Sequence, residues 1–172
     1  MGISTSRPIP IKSFGTSISP WIVSPEALEP FKTTPPKRDF QLLPHFEDDK
    51  AFVFDIDLKA TLIEDGGMET DIVETNAKEL YYSPVQQIIH HASTGSGIST
   101  GDLMGSGTIS GIEKGSFGCM LELSWGGREK IALSSGENRD FLLDNDTVVL
   151  NGTASAKKFK IGFSSCSGRI IK

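Results

Sequence analysis

The chain has 172 residues, a formal net charge of -5 at pH 7, and only two cysteines, Cys119 and Cys166. The length predicts a single domain with a core of its own, and the interspersed, mildly acidic charge argues against a nucleic-acid partner, which would need a basic face. The two cysteines lack metal-binding spacing and are expected to be free thiols in a reducing, cytoplasmic compartment. No apolar run is long enough to span a membrane, so we expect no membrane partner.

The first segment, residues 1–11, contains serine and proline without hydrophobic periodicity, and we expect it to be unstructured. The Ser-Pro-Glu sequence at 24–26 predicts a short helix, with the serine as N-cap and the proline in the first turn. Residues 31–50 are rich in proline and charge, which predicts a long surface loop.

Residues 51–62 alternate between apolar and polar side chains, which predicts an antiparallel strand with one face on a core. Asp55 and Asp57 share the polar face, and two carboxylates at this spacing are compatible with a metal site. The favoured interpretation is that they form the solvated face of an amphipathic strand. A turn at 64–67 and a shorter strand at 71–74 are expected to follow.

A helix is predicted to begin at Ser83, because Pro84 suits the first helical position and Gln86 is placed for a capping box. An apolar stripe with helical spacing follows, consisting of Val85, Ile88, Ile89 and Ala92. His90 and His91 are adjacent and point about 100° apart, so they cannot chelate one metal together. We interpret both as structural or solvent-exposed residues.

The stretch 101–125 is the most informative in the chain. It contains a glycine-dense loop at 105–111, with the hydroxyl of Thr108, and a run at 120–125 that is typical of a strand. Glu122 lies between two leucines in that run, and a carboxylate in apolar surroundings either faces solvent or has a partner. The glycine spacing matches no phosphate-binding motif.

Short apolar runs near 130–133, 141–143, 147–150 and 159–163 are separated by glycine, asparagine and aspartate turns. Short strands at this spacing predict a β-sandwich or β-roll. The predicted fold class is therefore mainly β with a few short helices.

Four motifs carry a resemblance to a known family. They are KSFGTSISPW at 12–21, QQ-x-x-HH at 86–91, SGTISG at 106–111 and FGCMLELSW at 117–125. Together they resemble the C-terminal part of the fumarylacetoacetase family. The resemblance implies that residues 12–172 are the C-terminal part of a catalytic domain with a mixed β-sandwich/β-roll fold, which is incomplete.

The resemblance also implies an activity and a set of roles. The family hydrolyses a carbon–carbon bond of a β-diketo acid to give fumarate and acetoacetate in tyrosine and phenylalanine breakdown, uses Mg²⁺ and Ca²⁺, and forms homodimers. Lys12 matches the lysine beside the metal, and Thr16 matches a threonine of the magnesium site. Thr108 matches a threonine that contacts substrate, and Glu122 matches the glutamate that orients the catalytic histidine.

The chain departs from the family pattern in one respect. The family's water-activating histidine and its acidic metal ligands lie upstream of the lysine motif, and none of His45, His90 and His91 is in the matching position. We therefore expect the chain alone to be inactive and to bind Mg²⁺ poorly. The alternative is a non-catalytic protein that keeps the fold and associates with full-length subunits. A related hydrolase with another diketo substrate is the third interpretation.

Overall fold

A computed structural model of the chain describes residues 15–171. The predicted unstructured stretch 1–11 and the predicted site residue Lys12 lie outside the described residues. The described part is mainly β, with antiparallel sheets and a few short helices, which confirms the predicted fold class. No helix within residues 15–171 is long and apolar enough to cross a bilayer.

The described strands are β1 (Lys32–Thr33), β2 (Val53–Phe54), β3 (Asp57–Ile63), β4 (Glu69–Asn76), β5 (Ile131–Ala132), β6 (Asn138–Arg139), β7 (Thr147–Ser155) and β8 (Lys160–Arg169). The α-helices are α1 (Pro25–Leu28), α2 (Pro84–Ser93) and α3 (Met120–Leu123), and four 3₁₀ turns cover Glu29–Phe31, Pro44–Phe46, Ala77–Glu79 and Lys114–Ser116. The main sheet has the order β4-β3-β7-β8, and two further ribbons pair β1 with β2 and β5 with β6.

The strand predicted over 51–62 is present, but it is interrupted between β2 and β3. There the Asp55 amide donates to the Phe31 carbonyl at 2.8 Å, and the Ile56 amide donates to the side chain of Asn76 at 3.2 Å. The backbone therefore leaves the ladder to bond with other segments. The next strand, β4, is twice as long as predicted, because it pairs with β3 along its whole length.

The core lies between the main sheet and the short helical segment that precedes β1. As predicted, Ser24 caps α1, and its side chain accepts from the Ala27 amide. This turn brings Leu28 and the following Phe31 against the sheet, where they pack on the fully buried Ala154 of β7. Burying side chains of this size stabilises the fold by about 1.5–3 kcal/mol each.

The predicted capping box of α2 is confirmed, with Ser83 and Gln86 bonded to each other's backbone amides. The orientation of the helix differs from that of an ordinary amphipathic helix. Gln86 is its buried residue, at 1% exposure, whereas Val85 and Ile88 of the apolar stripe are exposed. The most deeply buried side chain of α2 is therefore polar, and of the apolar stripe only Ile89 is half-buried.

Two strand predictions are wrong. The run at 120–125 forms the single turn α3, in which the Ser124 amide donates to the Met120 carbonyl, and the chain then turns sharply at Trp125 with a positive φ of 50°. The run at 141–143 is not a strand either. Its end enters a turn in which the buried Asp146 carboxylate accepts from the Leu143 amide at 2.8 Å.

A buried charge cluster joins the β5–β6 ribbon to the main sheet. Arg139 of β6 contacts Glu64 and Asp146, with relative exposures of 8%, 8% and 1%. Arg139 also donates a hydrogen bond to the exposed carboxylate of Glu137, and this bond raises the pKa of Arg139. The guanidinium thus neutralises carboxylates on two separate turns of the chain.

Candidate active site

The glycine-dense loop and α3 are packed directly against each other. A Cβ added at Gly118 would lie less than 3.0 Å from the backbone N, C and O atoms of Ile109. The Gly111 amide donates to the Ser116 carbonyl at 3.0 Å in the same region. Only a residue without a side chain allows the backbones at 109 and 118 to approach so closely.

Glu122 projects from α3 toward this loop. The Ser110 hydroxyl donates to Glu122 Oε2 at 2.5 Å, and the Gly118 amide donates to the Ser110 oxygen at 2.9 Å. The Gly118 amide occupies a lone pair of the serine oxygen, so the hydroxyl proton is directed at the carboxylate. The Cys119 thiol lies 3.9 Å from the same carboxylate oxygen.

The other carboxylate oxygen, Glu122 Oε1, accepts no hydrogen bond from residues 15–171. Glu122 is exposed and opens into a cavity of about 830 Å³, which we call the Glu122 cavity. This cavity is lined by Ile112, Lys114, Phe117, Leu121, Glu122, Trp125, Gly126, Arg128 and Glu129. An oriented carboxylate with one open oxygen can hold and orient a cationic or N–H donor, such as an imidazole.

Thr108 is exposed on the same loop, two residues before Ser110. Two residues span at most about 7 Å, so the Cα atom of Thr108 lies within that distance of the Cα atom of Ser110. The structure therefore places Thr108 on the segment that holds Glu122. Both remain predictions as site residues.

Thr16 lies in a different part of the fold. It is exposed in the segment beside β8, where Ser17 approaches Gly168 and the Ser19 hydroxyl donates to the Phe163 carbonyl at 2.6 Å. The loop that carries Ser116 packs on β4, the opposite edge strand of the main sheet. In the main sheet, three inter-strand spacings, about 14 Å, separate β8, which lies beside the segment of Thr16, from β4, against which the loop of Ser116 packs.

The described residues do not by themselves fit a Mg²⁺ or Ca²⁺ centre. Thr16 offers one neutral oxygen, and residues 15–171 contain no group of three or more His, Cys, Asp or Glu side chains that could hold a metal. Asp55 and Asp57 both accept from Asn76, at 2.7 and 2.9 Å, and Lys78 pairs with Asp55. The two carboxylates thus form the solvated, hydrogen-bonded face that the alternation predicted.

Sequence reasoning missed Ser110. The serine stands inside one of the motifs quoted for the resemblance, but its contact with Glu122 joins residues twelve positions apart. The only signal in the sequence was a short hydroxyl between glycines, which is typical of any surface turn.

A family model described as "Fumarylacetoacetate (FAA) hydrolase C-terminal" matches residues 4–168. The chain is 44% identical over 161 residues to a curated fumarylacetoacetase of Bos taurus and 43% identical over the same length to that of Homo sapiens. It is 44% identical over 168 residues to the fumarylacetoacetase of Emericella nidulans. These alignments cover 93–95% of the chain, and the chain spans about 38% of the length of these relatives.

Proposed function

The chain belongs to the fumarylacetoacetate hydrolase C-terminal family, and we propose that it supplies part of a site that hydrolyses the carbon–carbon bond of 4-fumarylacetoacetate. The products of that reaction are fumarate and acetoacetate, and the pathway is the breakdown of tyrosine and phenylalanine. The similarity to fumarylacetoacetases over 93% of the chain supports the substrate assignment.

In this proposal Glu122 orients a histidine that activates water. Ser110 holds Oε2 of the carboxylate, and Oε1 accepts the N–H of the imidazole. A carboxylate in this position fixes the tautomer of the imidazole and stabilises its protonated form after it has taken a proton from water.

Thr108 and Lys12 would act on the substrate. The Thr108 hydroxyl, at the exposed loop next to Ser110, donates to a substrate oxygen. The Lys12 ammonium stabilises the negative charge that develops as the carbon–carbon bond breaks. Because the described residues do not fit a metal centre, we derive no step through Mg²⁺ or Ca²⁺, and we propose that any such ion takes its charged ligands from outside residues 15–171.

The observation that carries the proposal is the held carboxylate of Glu122, with one open oxygen, in a chain of this family. The test is co-expression of the 172-residue chain with the N-terminal part of the Bos taurus relative, followed by measurement of fumarate release. We expect no hydrolysis by the chain alone and hydrolysis by the complemented pair. Glu122→Gln should abolish it, whereas Glu113→Gln, an exposed carboxylate in the same region but outside the Glu122 cavity, should not.

Hydrolysis at an ordinary enzymatic rate by the chain alone would contradict the proposal that the chain supplies only part of the site. No hydrolysis by a complemented pair that forms a stable complex would contradict the catalytic assignment and leave the second candidate function.

That second candidate is a non-catalytic role in association with full-length subunits of the family. It is favoured by the large exposed apolar side chains, among them Ile112 at 91% exposure and Trp125 at 63%. Exposed apolar patches mark association surfaces. If the chain instead works in the catalytic role described first, we propose that it does so as part of a homodimer in the cytoplasm.

A further inference from the structure

A second cavity lies away from Glu122, between the loop at 40–46, the helix α2 and the loop at 104–106. Its volume is about 600 Å³, within the range of small-molecule sites, and we call it the α2 groove. Aromatic and apolar side chains form most of its walls, notably Phe40, Phe46, Tyr82 and Met104. It shares no lining residue with the Glu122 cavity.

The α2 groove is held open by a buried hydrogen-bond network. Gln86, at 1% exposure, accepts from Arg38 Nη2 at 2.6 Å and donates to the Phe46 carbonyl at 2.7 Å. The ring of Phe40 stacks on Tyr81, with centroids 5.8 Å apart. These contacts fix the loop at 40–46 against α2, so the groove is formed before any ligand enters.

The charge of the lining is unusual for this chain. His90 and His91 of α2 line the groove, and no Asp or Glu does, although the chain carries a net charge of -5. Neither imidazole makes a hydrogen bond to a described residue. The backbone carbonyls of His90 and His91, which would repel an anion, accept from the hydroxyls of Ser93 and Thr94 at 2.8 and 2.7 Å.

We propose that the α2 groove binds a small aromatic carboxylate. The ring lies between Phe40, Phe46 and Met104, and the carboxylate accepts from the imidazole of His90, whose ring centroid lies 6.1 Å from that of Phe46. His91 adds a second imidazole to the lining. The lining supports this assignment, since Gln86, His90 and His91 of α2 all belong to it and both histidines are exposed. The loop at 104–106 lies just before Thr108, so an occupied groove would also restrain the loop of the proposed active site.

The test compares three probes that share a naphthalene ring and differ in charge: 2-naphthoate, 2-naphthalenemethanol and 2-naphthylmethylammonium. Each is titrated into the 172-residue chain labelled with ¹³C at its methionine methyl groups. Met104 lies in the groove, whereas Met68 is an exposed methionine in the turn between β3 and β4 and serves as the internal control. We expect a saturable shift at Met104 alone, with the anion binding about tenfold more tightly than the alcohol and the cation weakest.

The double variant His90→Gln, His91→Gln should weaken 2-naphthoate about tenfold and leave 2-naphthalenemethanol unchanged. His45→Gln is the matched control, because His45 packs on Phe46 but does not line the groove. Equal affinities for the anion and the alcohol would overturn the proposal, as would equal shifts at Met68 and Met104. No saturable shift at Met104 with any of the probes would also overturn it. The readout does not depend on hydrolysis, so it is separate from the test of the proposed function.

Discussion

The Ser110 hydroxyl donates to Glu122 Oε2 at 2.5 Å while its oxygen accepts the Gly118 amide at 2.9 Å. This pair of hydrogen bonds joins the glycine loop to α3 and leaves Glu122 Oε1 without a hydrogen bond from residues 15–171. Ser110 is thus a positioning residue for the carboxylate that the proposed function depends on.

Replacing Ser110 by alanine should lower the activity of the complemented enzyme about tenfold or more, because the carboxylate loses its orienting donor. The loss should appear in kcat with little change in KM, and Ser110→Thr should restore most of it. Ser99→Ala, in an exposed turn, is the control. A loss confined to KM, or an equal loss in Ser99→Ala, would contradict the positioning role.

Gly118→Ala should destabilise the loop, because the new methyl group would overlap the backbone of Ile109. We expect a loss of about 1–3 kcal/mol in the free energy of unfolding, measured by circular dichroism in urea. Gly115→Ala is the matched control, since a Cβ there has open space within 4 Å and the backbone does not have positive φ. Equal stability of the two variants would show that the close approach is not maintained in solution.

Arg139→Met should lower the free energy of unfolding by about 3–5 kcal/mol, because Glu64 and Asp146 are then buried without their cation. Arg169→Met is the control. Its pair with Asp65 is exposed, and removing it should cost about 0–1 kcal/mol. If both variants lost a similar free energy of unfolding, burial of the Arg139 cluster would not be the reason for its contribution to stability.

Asp71 should make the stability depend on pH in the acid range. The hydrogen bond from Lys59, together with that from Thr61, lowers the pKa of the Asp71 carboxyl below 3.8. A carboxyl with a lowered pKa stabilises the folded state above its unfolded value, and the contribution is lost as the pH falls through the lowered pKa. Asp71→Asn should therefore be less stable than wild type at pH 7, and the difference should shrink as the pH falls below 3.8 and vanish below the lowered pKa of Asp71.

Chemical unfolding at a series of pH values measures this dependence. Asp49→Asn, in an exposed loop, is the control. A difference between Asp71→Asn and wild type that persists or grows in acid would show the opposite sign and contradict the assignment.

Mg²⁺ should bind the 172-residue chain only weakly, with a dissociation constant above about 1 mM, because charged oxygen ligands are not gathered at one place in residues 15–171. Isothermal titration calorimetry measures the affinity, and chelation by EDTA should leave the melting temperature unchanged. Micromolar binding that Thr16→Val removes would contradict this expectation and would place a metal site beside β8.

Local signals in the sequence were sufficient for the helix starts. Ser24 and Ser83 cap α1 and α2 through contacts three residues away, and such contacts can be read from neighbours in the chain. The period-two pattern likewise identified β3, because alternation reflects the two faces of a strand. It did not reveal the break before β3, which depends on Phe31 and Asn76 from other segments.

The strand prediction for 120–125 failed for a physical reason. Over four residues, one helical turn and a short strand can carry the same apolar and polar side chains, so periodicity does not separate them. The close packing of Gly118 against Ile109 and the turn at Trp125 limit the segment to α3. The same limit applies to the site: Glu122 was identified from a motif, but its contact with Ser110 depends on the tertiary fold.

Trp21 and Trp125, the two tryptophans of the chain, are both exposed, at 69% and 63%. An indole in contact with water emits at long wavelength whether or not the backbone is folded. Intrinsic emission would therefore change little on denaturation of the isolated chain. It would shift to shorter wavelength when another polypeptide covers either ring, which makes the native fluorophores sensors of assembly.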